Sequence, residues 1–321
     1  MSLPPQVVIV GSIMQDLTFT CAEFPARGQT MMARLTVGQG GKGSNQAIAC
    51  GRTGVRTAFI GAMGRGAYAA EVAAFYRHEK IGCRLALKSD RPTGTAVILL
   101  NGEGQNIIVI EPGANARLAP GDVPRALLAG AKVVVTQLES NLATTAHTLR
   151  IAREAGVTTL LNPAPMRNDF DPRLLRHVDI LIPNESEFIA LVRKFPGTRR
   201  PKFDERALRS LSREALQALC RLIRVPTVIV TLGSRGCFIS EQTGYKFIPA
   251  HRGLKVVDTT GAGDAFCGGF AAGLVRHKGR IVEAARLGTA VAALSVTKPG
   301  AALAMPNRTE LSRFMRNIGA A

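Results

Sequence analysis

Short apolar runs that fail to alternate constrain this chain more than anything else in it. Val7 to Val10, Thr57 to Ile60, Val133 to Thr136, Thr158 to Leu161, Ile180 to Ile182 and Val228 to Thr231 are brief and rich in β-branched side chains. A strand with water on one face would alternate polar and apolar positions, so uninterrupted runs imply burial on both faces. Gly43 to Thr53, Ala67 to Lys80, Asn141 to Ala155, Asn184 to Lys194, Leu211 to Arg224 and Ala265 to Val275 have helical length and composition. Strand, helix and strand in succession predict an α/β architecture: a central, mostly parallel sheet flanked by helices on both faces. Two stretches depart from this rhythm. Phe19 to Val37 and Thr95 to Ile110, the latter with an Asn101-Gly102-Glu103-Gly104 turn, alternate like exposed antiparallel ribbons. We expect them to supply a small β lid from about 17–37 and 94–111. With 321 residues, 46% of them hydrophobic, the chain reads as one domain over 1–321 with this appendage.

No apolar run approaches the ~18 residues of a membrane span, and Met1-Ser2-Leu3-Pro4-Pro5 lacks the flank and cleavage pattern of a signal peptide. Ile318-Gly319-Ala320-Ala321 is no Ser-Lys-Leu address. A soluble, cytoplasmic protein with no membrane partner is expected. The six cysteines include no C-x-x-C pair and the five histidines form no close ligand pair, so reduced thiols and no zinc are expected. The net charge of +18 invites a nucleic-acid reading. Part of that charge is local: 193–213 holds eight Lys/Arg against two acids. With Pro196, Gly197 and Pro201 and no aromatic platform beside it, that stretch reads as a solvated loop before the helix at Leu211. A basic balance also suits a protein that binds polyphosphate.

The chemistry concentrates in Val256-Val257-Asp258-Thr259-Thr260-Gly261-Ala262-Gly263-Asp264-Ala265-Phe266-Cys267-Gly268-Gly269. An extended segment ends, a small-residue turn follows, and an apolar helix begins. Glycines allow the backbone close to a phosphate, and the amides of a helix N-terminus favour anions. Asp264 in that turn can take the proton of an attacking hydroxyl. An aspartate there is also an ordinary helix cap.

A second motif, Gly38-Gln39-Gly40-Gly41-Lys42-Gly43-Ser44-Asn45-Gln46-Ala47, satisfies G-x-G-x-x-G. A dinucleotide site would need an acid about 20 positions on, whereas the first is Glu71. A Walker A loop fails too, since position 36 is Thr and Gly43 follows Lys42. A glycine turn against a polyhydroxylated ligand fits better, with Lys42 and Asn45 as donors and acceptors.

The string from Asp258 to Phe266 resembles the C-terminal signature of the ribokinase-like carbohydrate kinase family, and Gly40 to Asn45 resembles the N-terminal signature of its ribokinase subgroup. Similarity runs from Val7 to about Pro306, the basic 193–213 stretch apart. The resemblance implies a ribokinase-like fold and in-line transfer of the ATP γ-phosphoryl group to the terminal hydroxymethyl of D-ribose. Asp264 would be the base, with Gly261, Ala262 and Gly263 supplying amides. Sugar ligands would be Met14, Asp16, Gly41, Lys42, Gly43, Ser44, Asn45, Ala96, Ile98 and Glu139, Met14 standing where many members have Asn. Nucleotide contacts would be Asn184, Glu187, Thr231, Gly233, Ser234, Gly236, Gly263 and Thr289, Thr289 replacing the usual Asn. Asn184 and Glu187 would hold Mg²⁺ through water, although taken by itself the motif reads first as a helix N-cap by Asn184 with acidic residues in the first turn. A K⁺ loop would use Asp258 and Thr260 with the backbone carbonyls of Ser295, Lys298 and Gly300, Ala304 replacing the usual serine. The lid implies a homodimer contact. Deoxyribose, fructose or adenosine as acceptor stays open, as does a basic nucleic-acid-binding or regulatory protein on the same fold.

Overall fold

The computed structural model describes residues 3–103, 105–195 and 204–319. The first half runs β1 (Val7–Val10), β2 (Met14–Thr20), β3 (Arg34–Gly40), α1 (Lys42–Arg52), β4 (Thr57–Gly64), α2 (Ala67–His78), β5 (Gly82–Lys88), β6 (Gly94–Leu100), β7 (Asn106–Glu111), α3 (Arg125–Ala129), β8 (Val133–Thr136) and α4 (Leu142–Glu154). The second half runs β9 (Thr158–Leu161), β10 (Ile180–Leu181), α5 (Glu185–Val192), α6 (Glu205–Arg209), α7 (Arg213–Leu222), β11 (Thr227–Thr231), β12 (Gly236–Glu241), β13 (Gly244–Pro249), α8 (Ala262–Arg276), α9 (Ile281–Ser295) and α10 (Arg308–Asn317).

One sheet has the order β13-β12-β11-β10-β9-β8-β1-β4-β5. Every pair from β5 to β11 is parallel, and β12 and β13 add antiparallel. All residues of β1, β4 and β8 are buried, as their unbroken apolar runs require. The chain leaves β1 for β4 and β5 on one side and resumes at β8 on the other. That reversal opens a crevice at the carboxyl ends of β1 and β8, where open α/β sheets bind ligands.

The edges are where the sequence reading fell short. β5 pairs with β4 along its length but exposes Gly82, Cys83 and Arg84, so it shows no apolar run. The β12–β13 hairpin turns at Gln242 and Thr243, a pair that carries none of the usual two-residue turn chemistry.

The lid is a separate sheet of order β3-β2-β6-β7. Its first ribbon is not continuous: β2 begins at Met14, β3 ends at Gly40, and no strand lies between Thr20 and Arg34. Gly38, Gln39 and Gly40 therefore close a strand where a turn was expected. Gly104 and residues 196–203 fall outside the described residues. Part of the expected basic loop forms a short helix, α6, capped by the Asp204 side chain on Ala207 N–H at 2.8 Å. No helix among the described residues is long and apolar enough to cross a membrane.

Helix α8 is sandwiched between α1 and α9. A Cβ on Gly268 would overlap the Gln46 carbonyl and the Ala49 methyl on α1, and one on Gly269 would meet Val291 at 2.8 Å on α9. These two glycines set the interhelical distance, and with it the reach of Asp264 to α1.

Candidate active site

Gly261 precedes α8 with φ +75°, a left-handed conformation that glycine adopts without strain. Asp264, 6% exposed, follows in the first turn. It does not cap its own helix. Oδ2 accepts from Asn45 Nδ2 and Oδ1 from Gln46 Nε2, each at 3.0 Å. Gln46 is held in turn: Nε2 also reaches Asn162 Oδ1 at 3.1 Å, and Oε1 accepts from Gln137 Nε2 at 2.6 Å. The carboxylate is thus oriented by a side-chain relay from the ends of β8 and β9. Ala262 N–H is already committed to Thr259 O at 3.2 Å. The amides of Gly263 and Asp264 have no acceptor among the described residues, so they, and not Ala262 N–H, are open to an anion.

Around Asp264 the buried charges are crowded. Glu139, just past β8, accepts from Ser12 Oγ at 2.6 Å and Lys42 N–H at 2.9 Å, closing the crevice between β1 and β8. Lys42, Glu187, Asn162, Cys267 and Asp264 line one cavity of about 170 Å³. Burial pushes the Lys42 ammonium down, but Asp264, Glu139 and Glu187 more than offset this and hold it above its ordinary value. Burial first, then Glu139 and Asp264, push the Asp16 carboxyl up to about 7, against Lys42. Burial also raises Glu187. Two buried oxygens on the side chains around Asp264 lack a partner among the described residues: Asn45 Oδ1, on a residue bonded to Asp264 directly, and Gln137 Oε1, one step further along the relay. A buried acceptor without a donor is the arrangement that a ligand hydroxyl would complete.

Several expected sugar contacts are placed otherwise. Ser44 turns into the core, where its Oγ accepts from Tyr76 O–H at 2.8 Å, because the residue before Asn45 on a helix faces about 100° away from it. A Cβ on Gly43 would meet Ser12 N at 2.7 Å, and one on Gly41 would meet Ile13 Cα at 2.8 Å. Their room is taken by the β1–β2 connection, which brings α1 close enough to aim Asn45 inward. Met14, Ala96 and Ile98 form one small buried cluster on the lid. Asp16 shares their face, its carboxylate lying over Gly40, where any Cβ would overlap it.

Across Gly263 lies a cleft of about 750 Å³ whose lining includes Asn184, Thr231, Gly233, Ser234, Gly236 and Thr289. It shares Asn184, Thr231, Thr259, Ala262 and Gly263 with the smaller cavity, so the two are continuous. Thr289 Oγ donates to Ala285 O at 2.8 Å, leaving only acceptor capacity for a ligand. Asn184 and Glu187 make the reciprocal cap that the sequence allowed: Asn184 Oδ1 accepts from Glu187 N–H at 2.8 Å, and Glu187 Oε2 from Asn184 N–H at 2.9 Å. Glu187 keeps its second oxygen for the cavity. No cluster of three His, Cys, Asp or Glu that could hold a metal exists among the described residues. One carboxylate beside the open end of α8 would suit a magnesium ion that keeps most of its water.

Gln46, Gln137, Asn162 and Ser12 were missed from the sequence, as were His251, Arg252, Leu254 and Val256 along the large cleft. Gln46 and Val256 lie inside the two motifs already singled out, but were given no role there. Asn162 directly follows an apolar strand, a position that signals the ligand end of a parallel sheet.

Asp258 accepts from Thr260 N–H and Gly300 N–H, each at 2.8 Å, so its carboxylate staples the loop before α8 to the one after α9. It makes no ion pair among the described residues. A half-buried carboxylate without a cationic side chain fits a monovalent ion. Ala304 is buried, Ser295 Oγ donates to Ala292 O, and Lys298 pairs with Glu310 at 2.6 Å. The side chains of Ser295 and Lys298 are thus engaged elsewhere, which does not touch the backbone carbonyls named for the ion.

A family model described as pfkB family carbohydrate kinase matches residues 4–308. The chain is 34% identical to a ribokinase of Mus musculus over 95% of this chain and 93% of that one. It is 31% identical to a deoxyribokinase of Salmonella typhimurium, covering 96% and 98%. Among solved structures it resembles a ribokinase from Giardia lamblia, with a TM-score of 0.88 and 32% identity over 98% of this chain and 99% of that one. It also resembles an Arabidopsis thaliana ribokinase complexed with ribose and ATP, with a TM-score of 0.80 and 29% identity over 98% and 99%.

Proposed function

The chain belongs to the pfkB family of carbohydrate kinases, and from that premise we propose that it transfers the γ-phosphoryl group of ATP to the 5-hydroxyl of D-ribose. The observation that carries this reading is Asp264. Its carboxylate is buried, aimed by α1 rather than by its own helix, and shares a cavity with Lys42 and the free amides of α8. Asp264 takes the hydroxyl proton as the acceptor attacks. Gly263 and Asp264 N–H stabilise the charge on the migrating group, and Lys42 adds a fixed positive charge where water is scarce. Asn45 Oδ1, Asp16 and Glu139 accept from sugar hydroxyls, with Met14, Ala96 and Ile98 over the ring. The large cleft takes the nucleotide between the turn at Gly233 and α9. Magnesium, held through water by Glu187 and Asn184, would neutralise phosphate charge, and potassium near Asp258 would stiffen the turn at Gly261. A coupled ADP-release assay across ribose, deoxyribose, fructose and adenosine tests the substrate. A kcat/KM for another acceptor above that for ribose would reassign it. Salt-steep RNA binding without ATP turnover would favour the nucleic-acid reading.

Asp16 gives a pH signature. Because its carboxyl sits near 7 rather than at its ordinary 3.8, the folded protein binds a proton that the unfolded chain releases. This stabilises the fold at low pH, and the gain is lost as pH rises toward 7. Sugar binding needs the ionised form, so kcat/KM for sugar should fall below about pH 7. Asp16→Asn removes the buried charge: at pH 8 we expect its Tm to rise by about 2–5 °C while sugar KM rises about 10–100-fold. A lower Tm with unchanged KM would refute both halves.

A homodimer through the lid accompanies this reading. Leu35, Val37, Ile107 and Val109 share the outer face of the lid by register and are 49%, 52%, 46% and 66% exposed. Apolar faces of this kind are usually covered by a partner. Sedimentation at micromolar concentration should give twice the 34.1 kDa chain mass, and Val109→Lys should halve it. A monomeric wild type would end this assignment. The reading also implies the cytoplasm, where reducing conditions keep the six free cysteines as thiols, and cell fractionation tests it.

A further inference from the structure

Glu185 opens α5, between the cap Asn184 and Glu187. It lines the large cleft, yet its side chain is only 14% exposed. Two guanidinium groups from different elements converge on it. Oε1 accepts from Arg235 Nη2 at 2.8 Å and from Arg209 Nε at 3.1 Å. Arg209 Nη2 also reaches Glu185 Oε2 and Glu205 Oε2, each at 3.4 Å. Arg235 lies in the turn after β11, where Gly233 and Gly236 take φ of +54° and +108°. The turn closes on itself through Leu232 N–H to Gly236 O at 2.8 Å, and Arg235 ties it sideways to α5. Arg209 belongs to α6, which is docked through Leu208, 3% exposed, in the core cluster that contains Phe188, Leu191 and Val192 of α5. The N-terminus of α5, the turn at 233–236 and the end of the basic stretch therefore meet at one carboxylate.

We propose that Glu185 is a positioning residue: clamped by Arg209 and Arg235, it holds the 233–236 turn in the wall of the nucleotide cleft, giving Arg209 of α6 a part in nucleotide affinity. The inference rests on the nucleotide reading of that cleft. A bare carboxylate beside a polyphosphate repels it. Here two guanidinium groups neutralise the charge and convert it into a tether. Pairs this close to solvent add little to global stability. Their effect is on the placement of a glycine turn that has few other side-chain anchors.

The test uses the full chain with kinetics and ADP calorimetry. Glu185→Gln should raise ATP KM and ADP Kd about five- to tenfold, and Arg209→Ala about two- to threefold, with kcat and sugar KM within about twofold. The double variant should be no worse than Glu185→Gln, since the two residues act through one contact. A lower ATP KM in Glu185→Gln would show that the carboxylate only repels nucleotide, and would overturn the proposal, as would a kcat loss at constant KM. Arg209→Ala carries the test alone if Glu185→Gln fails to fold, because Arg209 is about half exposed, at 56%. Wild-type protein that binds ADP, with unchanged variants, overturns the positioning role alone. Wild-type protein that binds no ADP overturns the nucleotide reading beneath it.

Discussion

Asn in place of Asp264 is expected to lower kcat by about 10³-fold while ADP affinity stays within about threefold. The loss has two sources. The amide is no base at any pH in range. It also brings an NH₂ group to a site built to receive donors: Asn45 Nδ2 and Gln46 Nε2 both point at the carboxylate. Gln46 cannot rotate to offer its carbonyl, because Oε1 already accepts from Gln137 and Nε2 also serves Asn162. Asn45 can flip, because its Oδ1 has no protein partner; its carbonyl would then meet the new NH₂, and its own NH₂ would replace the acceptor that faced the sugar. Single-turnover kinetics with an ADP titration on the same sample would separate chemistry from binding. A kcat within tenfold of wild type would remove Asp264 from the reaction.

Lys42→Met should cost about 10²- to 10³-fold in kcat, the order seen when one fixed donor is removed from a charge-stabilising site. The second expectation is specific to this cluster. Lys42 lowers the carboxyls of both Asp16 and Glu187. Without it both rise further, so the acid limb of kcat/KM for sugar should move above its wild-type position near pH 7. Ground-state sugar binding at neutral pH should weaken as more Asp16 becomes protonated. A reduced kcat with an unmoved pH profile would mean that Lys42 acts on the phosphoryl group and is electrically insulated from the sugar carboxylates.

Legibility followed local cause. The inner strands β1, β8 and β9 could be bounded from sequence because burial on both faces leaves an unmistakable apolar run. Edge strands β5 and β13 escaped, since one open face dilutes that pattern with charge. Asp264, Lys42, Asn45 and Glu139 announced themselves through glycine turns and strand ends. Ser44 belonged to the same motif and misled, because motif letters carry no azimuth around a helix, whereas Tyr76 does. Gln137 and Asn162 stand 91 and 116 positions from Gln46, a separation no local pattern encodes.

By itself the sequence determined the parallel sheet, the small-residue turn at 261–264 that opens α8 and the residue types able to move a proton and a phosphate. Those properties depend on backbone geometry and on chemistry carried by neighbours in the chain. Tertiary structure alone decided which oxygen of Asp264 meets which amide, that Asp16 is pushed up to about 7, and that Arg209 reaches Glu185. Such outcomes depend on the distance between distant segments and on how much water lies between them, and both exist only once α1, α8 and the sheet have packed.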